Sequence, residues 1–373
     1  VSIDLLAAAE HVHEVVEANA DRSEQGRRLA PAVVEALRDA HLFRMCVPAV
    51  YGGPEADPLT LVRAIEAVAA ADGAAGWCTM IASTTSSMSL FLEPEFARQI
   101  FADPRSITGG VFAPNGTAVR EADGWRVTGR WQWGSGSQHC TWLTGGCTTD
   151  DGQFHLMFMD PADIVIHDTW HVSGMRGTGS HDFSAEGAFV PFGRSVQPMA
   201  GKRYVDGALA AFPNFSLLAA GVAAVALGVA RHALDEFIDL AQGKRPLYSS
   251  RTLSQSGTVQ SELAKAEASL RAARAFLHSE LAEAWDAAQQ GGHIDVATRG
   301  RIRLAGVHAA GAAAHATDVA YTLAGGTSVY ETSPLQRCLR DAHVATQHLM
   351  VSPRLNETLG KLLFGADIDA SQL

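Results

Sequence analysis

His167 and His171 stand four residues apart, a spacing that on a helix could hold a metal ion. Their segment, HDTWHVSG, lies in a strand-like stretch, where residues four apart are separated by roughly 13 Å. No metal is therefore expected there. The run GSGS, Gly134 to Ser137, looks like a nucleophile elbow, but the GxSxG spacing is missing, and Gly and Ser are ordinary turn residues. No GxxxxGKS/T, no strand–GxGxxG–helix and no HExxH occurs. The five cysteines, Cys46, Cys78, Cys140, Cys147 and Cys338, are odd in number and contain no CxxC pair. That pattern suits a reducing compartment, with neither a disulfide framework nor a structural zinc. Two histidines near the C-terminus, His343 and His348, could move a proton on a substrate, since a free imidazole titrates near neutrality. A lone histidine on an alanine-rich helix is just as readily packed or solvated.

Three zones must position these groups. Residues 1–105 read as helical: PAVVEALRDAHLF, from Pro31, opens on a proline suited to a first turn and carries Val33, Leu37 and Ala40 at helical spacing. Leu59–Ala71 and Gly76–Leu92 continue the pattern. Residues 106–200 switch to period two. In GWRVTGRWQW, the residues Trp125, Val127, Trp131 and Trp133 fall on one face of a strand. Residues 201–373 return to helix, with Leu263, Ala266, Leu270, Ala273, Leu277 and Leu281 forming one stripe.

A net charge of -11 offers no attraction for nucleic acid or an anionic membrane surface. Asp4, Glu10 and Glu14 interrupt the first segment where a signal peptide would be apolar, and the run Leu217–Val229 is too short to span a bilayer. A cytoplasmic enzyme is the expectation.

Four segments in order resemble the acyl-CoA dehydrogenase family: VPAVYGG from Val47, GWRVTGRWQWGSGS from Gly124, MRGTGSHDFSAEGAFVP from Met175 and AGGTSVYETSPLQRCLRDAH from Ala324. The resemblance implies an α+β fold with an N-terminal helical domain, a central β-barrel domain and a C-terminal four-helix bundle. Two features depart from the dehydrogenases. FAPNGTAVREADG, from Phe112, lacks their Thr-Glu-Pro and Gly-Ser-Asp stretch. RDAHVATQHLMVSP, from Arg340, has no acid after Asp341 where their Glu-Gly-Thr base stands. Asp235, Glu236 and Asp239 on an earlier helix keep a relocated base open, and with it an acyl-CoA dehydrogenase using FAD.

Both departures resemble the family's flavin monooxygenase branch. That branch implies transfer of one oxygen atom from a flavin C4a-hydroperoxide to a small organic substrate. Reduced flavin would come from a separate reductase and molecular oxygen from solution, to a homotetramer. By the same resemblance His348 is the acid/base, and Ser135 is a donor near flavin N5. Trp133, Ser137, Arg251, Gly325 and Gly326 would hold the cofactor, while Thr85, Trp131 and His343 would border the substrate. Other readings stay open: the tryptophans as core, the glycines as a helix cap, and Arg251 as a solvated cation. RTLSQSG after Arg251 lacks the phenylalanine of the adenine-side contacts, which favours FMN over FAD. The hydroxyls of Ser83 to Ser87 would meet a polar substrate or a subunit contact.

Overall fold

The computed structural model describes residues 3–198, 201–370 and 373. The helices α1 (Leu5–His11), α2 (His13–Ala18) and α3 (Ala20–Gly26) run nearly end to end from Asp4, whose carboxylate accepts from the Leu6 and Ala7 amides. α4 (Pro31–Asp39) opens on its proline and buries Val33, Val34 and Leu37. α5 (Pro58–Ala71) is capped by Asp57, and α6 (Gly73–Ser86) by Asp72, which accepts from Ala75 N at 2.9 Å. α7 (Pro94–Phe101) closes the first helical zone.

Seven strands follow: β1 (Thr108–Arg120), β2 (Gly124–Gly134), β3 (Trp142–Thr149), β4 (Phe154–Met159), β5 (Ile164–His167), β6 (His181–Pro191) and β7 (Ser195–Val196). Their order is β5-β6-β2-β1-β3-β4-β7, with β1 and β3 parallel and every other pair antiparallel. Among the described residues β5 and β7 are left as edges. The central β domain is thus a mixed seven-stranded sheet, β7 being only two residues long. Period two places Trp125, Val127 and Trp131 in the sheet's own core with Met157, Phe183 and Val190. Trp133 leaves that face. The β2/β6 register slips between Trp131 and Gly134, Trp133 takes φ +66°, and its side chain turns out to 68% exposure.

The chain then returns to helix: α8 (Ala208–Ala211), α9 (Asn214–Gly243), α10 (Gly257–Gln289), α11 (Val296–Ala324), α12 (Pro334–Ala345) and α13 (Leu355–Leu363). On α10 the stripe Ala266, Leu270, Ala273, Leu277 and Leu281 is buried, with Leu263 half-buried beside it. Among the described residues α9 is the one helix long and apolar enough to cross a bilayer, but it serves as a core helix, packed on α5, α6, α11 and α12. Gly228 lets α9 approach α5 closely: a Cβ there would sit 2.4 Å from the Glu66 carbonyl. One apolar core runs through α1, α5, α6, α9, α10 and α11, so the two helical zones, distant in sequence, are packed together. The boundary expected at residue 200 lies outside the described residues.

Candidate active site

After β2 the chain folds into a tight turn. Ser135 N donates to the Trp133 carbonyl at 2.9 Å, Gly136 N to the Thr178 carbonyl at 2.9 Å, and Ser137 N to the Gly134 carbonyl at 3.1 Å. Gly136 takes φ +70°, and a Cβ on it would meet the His139 ring at 2.8 Å, so only glycine fits.

Ser135 is buried in a chain of hydroxyls. Its Oγ lies 2.7 Å from Ser180 Oγ, which lies 2.6 Å from Thr178 Oγ1, which donates to the Met175 carbonyl at 2.8 Å. Each hydroxyl has a single proton. With Thr178's given to Met175, Ser180 must donate to Thr178 and Ser135 to Ser180. Trp77 on α6 then completes Ser135, its Nε1–H donating to Oγ at 3.0 Å. The Ser135 proton points inward, and its amide is used in the turn. The free donor expected of Ser135 is therefore absent from this arrangement. By contrast, Ser137 Oγ is buried and has no partner among the described residues. Asp341 anchors the far end of the chain of bonds by accepting from Met175 N, and burial pushes its carboxyl up to about 7. Its other oxygen faces Gly73, where a Cβ would lie 3.2 Å away, so neither oxygen opens to a ligand.

Trp77 also meets His348, edge to face, with ring centroids 5.5 Å apart at 70°. His348 heads the turn after α12, and its Nδ1 accepts from Met350 N at 3.2 Å, which leaves the ring proton on Nε2. Burial first, and then the nearby Arg303 cation, depress its pKa to about 4. The imidazole is neutral at pH 7. Trp77 thus joins two residues singled out in the sequence, Ser135 and His348, that lie 213 positions apart (348 − 135).

A small pocket is lined by Thr84, Met88, Phe112, Asn214, Phe215 and Leu218, and Arg303 links its Phe215 to Met350 beside His348. Thr84 lines it; its neighbour Thr85 is buried, and the Thr85 hydroxyl makes no hydrogen bond among the described residues. The hydroxyls of Ser83, Thr84, Ser86 and Ser87 turn back onto the carbonyls of Leu42, Met80, Ser83 and Thr84. Their polarity is satisfied inside the fold, not held for a ligand.

Trp131 is a correction to the sequence reading. It is fully buried, stacked on Phe183 at 5.2 Å, and its N–H is spent on the Gly146 carbonyl, leaving no face for substrate. His343 is also displaced from the pocket: it is exposed and paired with Asp318 at 2.8 Å. Arg251, Gly325 and Gly326 are exposed and share no contact with Ser135 among the described residues. Lys244 joins the end of α9 to the glycine turn by bonding Ala324 O and Thr327 Oγ1, and the Arg251 loop returns to it through Leu253 N. Asp235 is gripped by Arg231, Glu236 faces His232 at 3.7 Å, and Asp239 is exposed; none meets His348. His167 bonds Ser184 at 2.8 Å, while His171 lies against Arg27 and Asp168.

The sequence reading passed over Trp77 and Arg303. Arg303 did leave a signal: it falls in phase with Val307 and Ala310, a cation on the buried stripe of α11.

Comparison with known proteins agrees with this architecture. Residues 6–93 match the acyl-CoA dehydrogenase N-terminal domain and residues 220–353 its C-terminal domain. The indole-3-acetate monooxygenase of Pseudomonas putida is 31% identical over 91% of this chain and 88% of its own. The flavin-dependent monooxygenase oxygenase subunit HsaA of Mycobacterium tuberculosis is 26% identical over 94% of this chain and 92% of its own. XiaF from Streptomyces sp., solved with FADH2 and glycerol, superposes with a TM-score of 0.90 at 26% identity, covering 97% of this chain and 95% of that one.

Proposed function

The chain belongs to the acyl-CoA dehydrogenase family, in its flavin-dependent monooxygenase branch, and from that premise we propose that it inserts one oxygen atom into a small aromatic substrate. The observation that carries this reading is the lack of a free base: the mostly apolar pocket has no carboxylate among its described lining, and the imidazole of His348 is neutral. Desaturation of an acyl thioester needs a base at the α-carbon. Asp341 is locked against Met175, and the acids of α9 are occupied or exposed elsewhere.

A reduced flavin, when bound, activates molecular oxygen and supplies the atom that is inserted. The chain's own residues fit such a group. Ser137 Oγ, buried without a partner among the described residues, would offer a hydrogen bond to a ring edge, and Trp133, turned outward on the same turn, an aromatic cover. Arg251 would take the phosphate, and Gly325 and Gly326 would admit a close backbone approach. Because these three are exposed and flanked by exposed Leu247, Tyr248, Val329 and Tyr330, they would serve a neighbouring subunit of a homotetramer. FMN is preferred to FAD, since Thr252 and Gln255 form a capping box where the adenine-side phenylalanine would stand; the FADH2 bound by XiaF keeps FAD as the alternative.

Phe112, Phe215, Met88 and Leu218 exclude water from the reacting atoms. His348 holds a proton on Nε2 toward an oxygen on the substrate, and Trp77, fixed by Ser135, keeps the imidazole in place. A separate reductase supplies the reduced flavin, as the oxygenase-subunit designation of the HsaA relative supports. Five free cysteines suit a cytoplasmic setting. The test is to add short, long and steroid acyl-CoAs anaerobically to the protein with oxidised flavin. No bleaching is expected, and rapid bleaching by any of them would overturn the reading.

A further inference from the structure

Arg303 is 0% exposed, yet its guanidinium meets no carboxylate among the described residues. Nη1 rests on Met350 Sδ at 2.7 Å and on the Phe215 carbonyl at 3.5 Å, while Nε and Nη2 have no partner among the described residues. Those two nitrogens form the side-on fork of a guanidinium, with parallel N–H bonds spaced to meet both oxygens of a carboxylate. Burial lowers the pKa only to about 10, so the group is a cation at neutral pH. A buried charge without a counter-ion is costly, and the cost is relieved when an anion arrives with matching geometry.

The contacts also say where the fork lies. Phe215 lines the apolar pocket with Phe112 and Thr84. Met350, the other contact, donates its amide to His348. The guanidinium therefore stands between the pocket and the imidazole. We propose that Arg303 receives the carboxylate of an aromatic acid, whose ring lies against the Phe112–Phe215 pair, themselves packed at 6.2 Å, with an edge toward His348. For the reaction this rests on the monooxygenase reading; for binding it stands alone.

Calorimetric titration of the purified protein with indole-3-acetate and phenylacetate, each against its primary amide, tests this. The acids should bind roughly 10- to 100-fold more tightly than the amides, the range for hydrogen bonds to a charged group. Arg303→Met should bring the acids to the amides' affinity and leave the amides within about threefold of the parent. Because that change removes an uncompensated buried charge, the ligand-free variant should melt no lower than the parent. Equal affinity of acid and amide in the parent, binding of neither, or an acid preference that survives Arg303→Met would each overturn the proposal. The first comparison needs no variant, so it holds even if Arg303→Met does not fold. Acid binding lost in Arg303→Met, with no oxygenated product from any ligand, would uphold the anchor and sink the oxygenase reading. Oxygenation of neutral indoles without preference for acids would do the reverse.

Discussion

Removing the Trp77–Ser135 hydrogen bond from each side separates two roles for Ser135. The bond is 3.0 Å long and buried at both ends. Trp77→Phe deletes the donor but keeps an aromatic ring against His348, and should cost about 1 kcal/mol for the bond plus a smaller packing loss. Ser135→Ala is the harsher change, because it leaves the Trp77 N–H buried and unpaired at about 1–3 kcal/mol. In the double variant neither orphan remains, so its cost should fall short of the sum by about 1 kcal/mol. Urea unfolding of the four proteins measures this. Catalysis should follow the same pattern: both single variants should lower the fraction of reduced flavin that yields product and raise released peroxide, and the double variant should be no worse than the poorer single one. If Ser135 donated directly to the cofactor, Ser135→Ala would be far worse than Trp77→Phe and the losses would multiply. Additive stabilities within about 0.5 kcal/mol, together with multiplying losses of coupling, would refute the inward orientation of the Ser135 proton.

Three further outcomes are expected. His348→Ala should slow product formation by roughly 10²–10⁴-fold while flavin affinity holds; with a pKa of about 4, His348 should leave the parent's rate flat between about pH 9 and 5.5, as a pH–rate profile would show. Ser137→Ala should weaken reduced-flavin binding by roughly tenfold and leave the flavin-free melting temperature unchanged or raised, since it deletes a buried hydroxyl without a partner among the described residues. Asp341 has a folded pKa raised to about 7, so its contribution to stability is full below about pH 4 and is lost as pH rises through 7. Asp341→Asn should accordingly gain on the parent in thermal melts between pH 5 and pH 8. His139 and His348, both depressed to about 4, act oppositely: their contribution is full above about pH 6.5 and is lost as pH falls through 4.

Much of this was legible in the sequence because period sets it. The switch from 3.6 to two near Ser106 and back after Val196 marks the sheet, and the proline at 31 marks a helix start. What was not legible depends on contacts between distant positions. Period two put Trp131 and Trp133 on one face, but only the pairing with β6 shows the slip that buries the first and turns the second outward. The serines of α6 look ligand-seeking until the carbonyls one turn back are seen to take their protons. Ser135 and His348 were found through family resemblance, whereas Trp77, which joins them, carries no local signal. Arg303 lies on a readable stripe, but its lack of a carboxylate partner is a property of the packed interior.

The central claim is oxygen insertion, and isotope transfer tests it most directly. The protein, mixed anaerobically with chemically reduced FMN, is exposed to ¹⁸O₂ in the presence of indole-3-acetate, phenylacetate and neutral indoles. The product masses are then read against a control without protein. The account expects a product carrying one ¹⁸O atom, formed without acyl-CoA and lost in His348→Ala. A product without ¹⁸O, or no product with any aromatic while an acyl-CoA is desaturated, would contradict it.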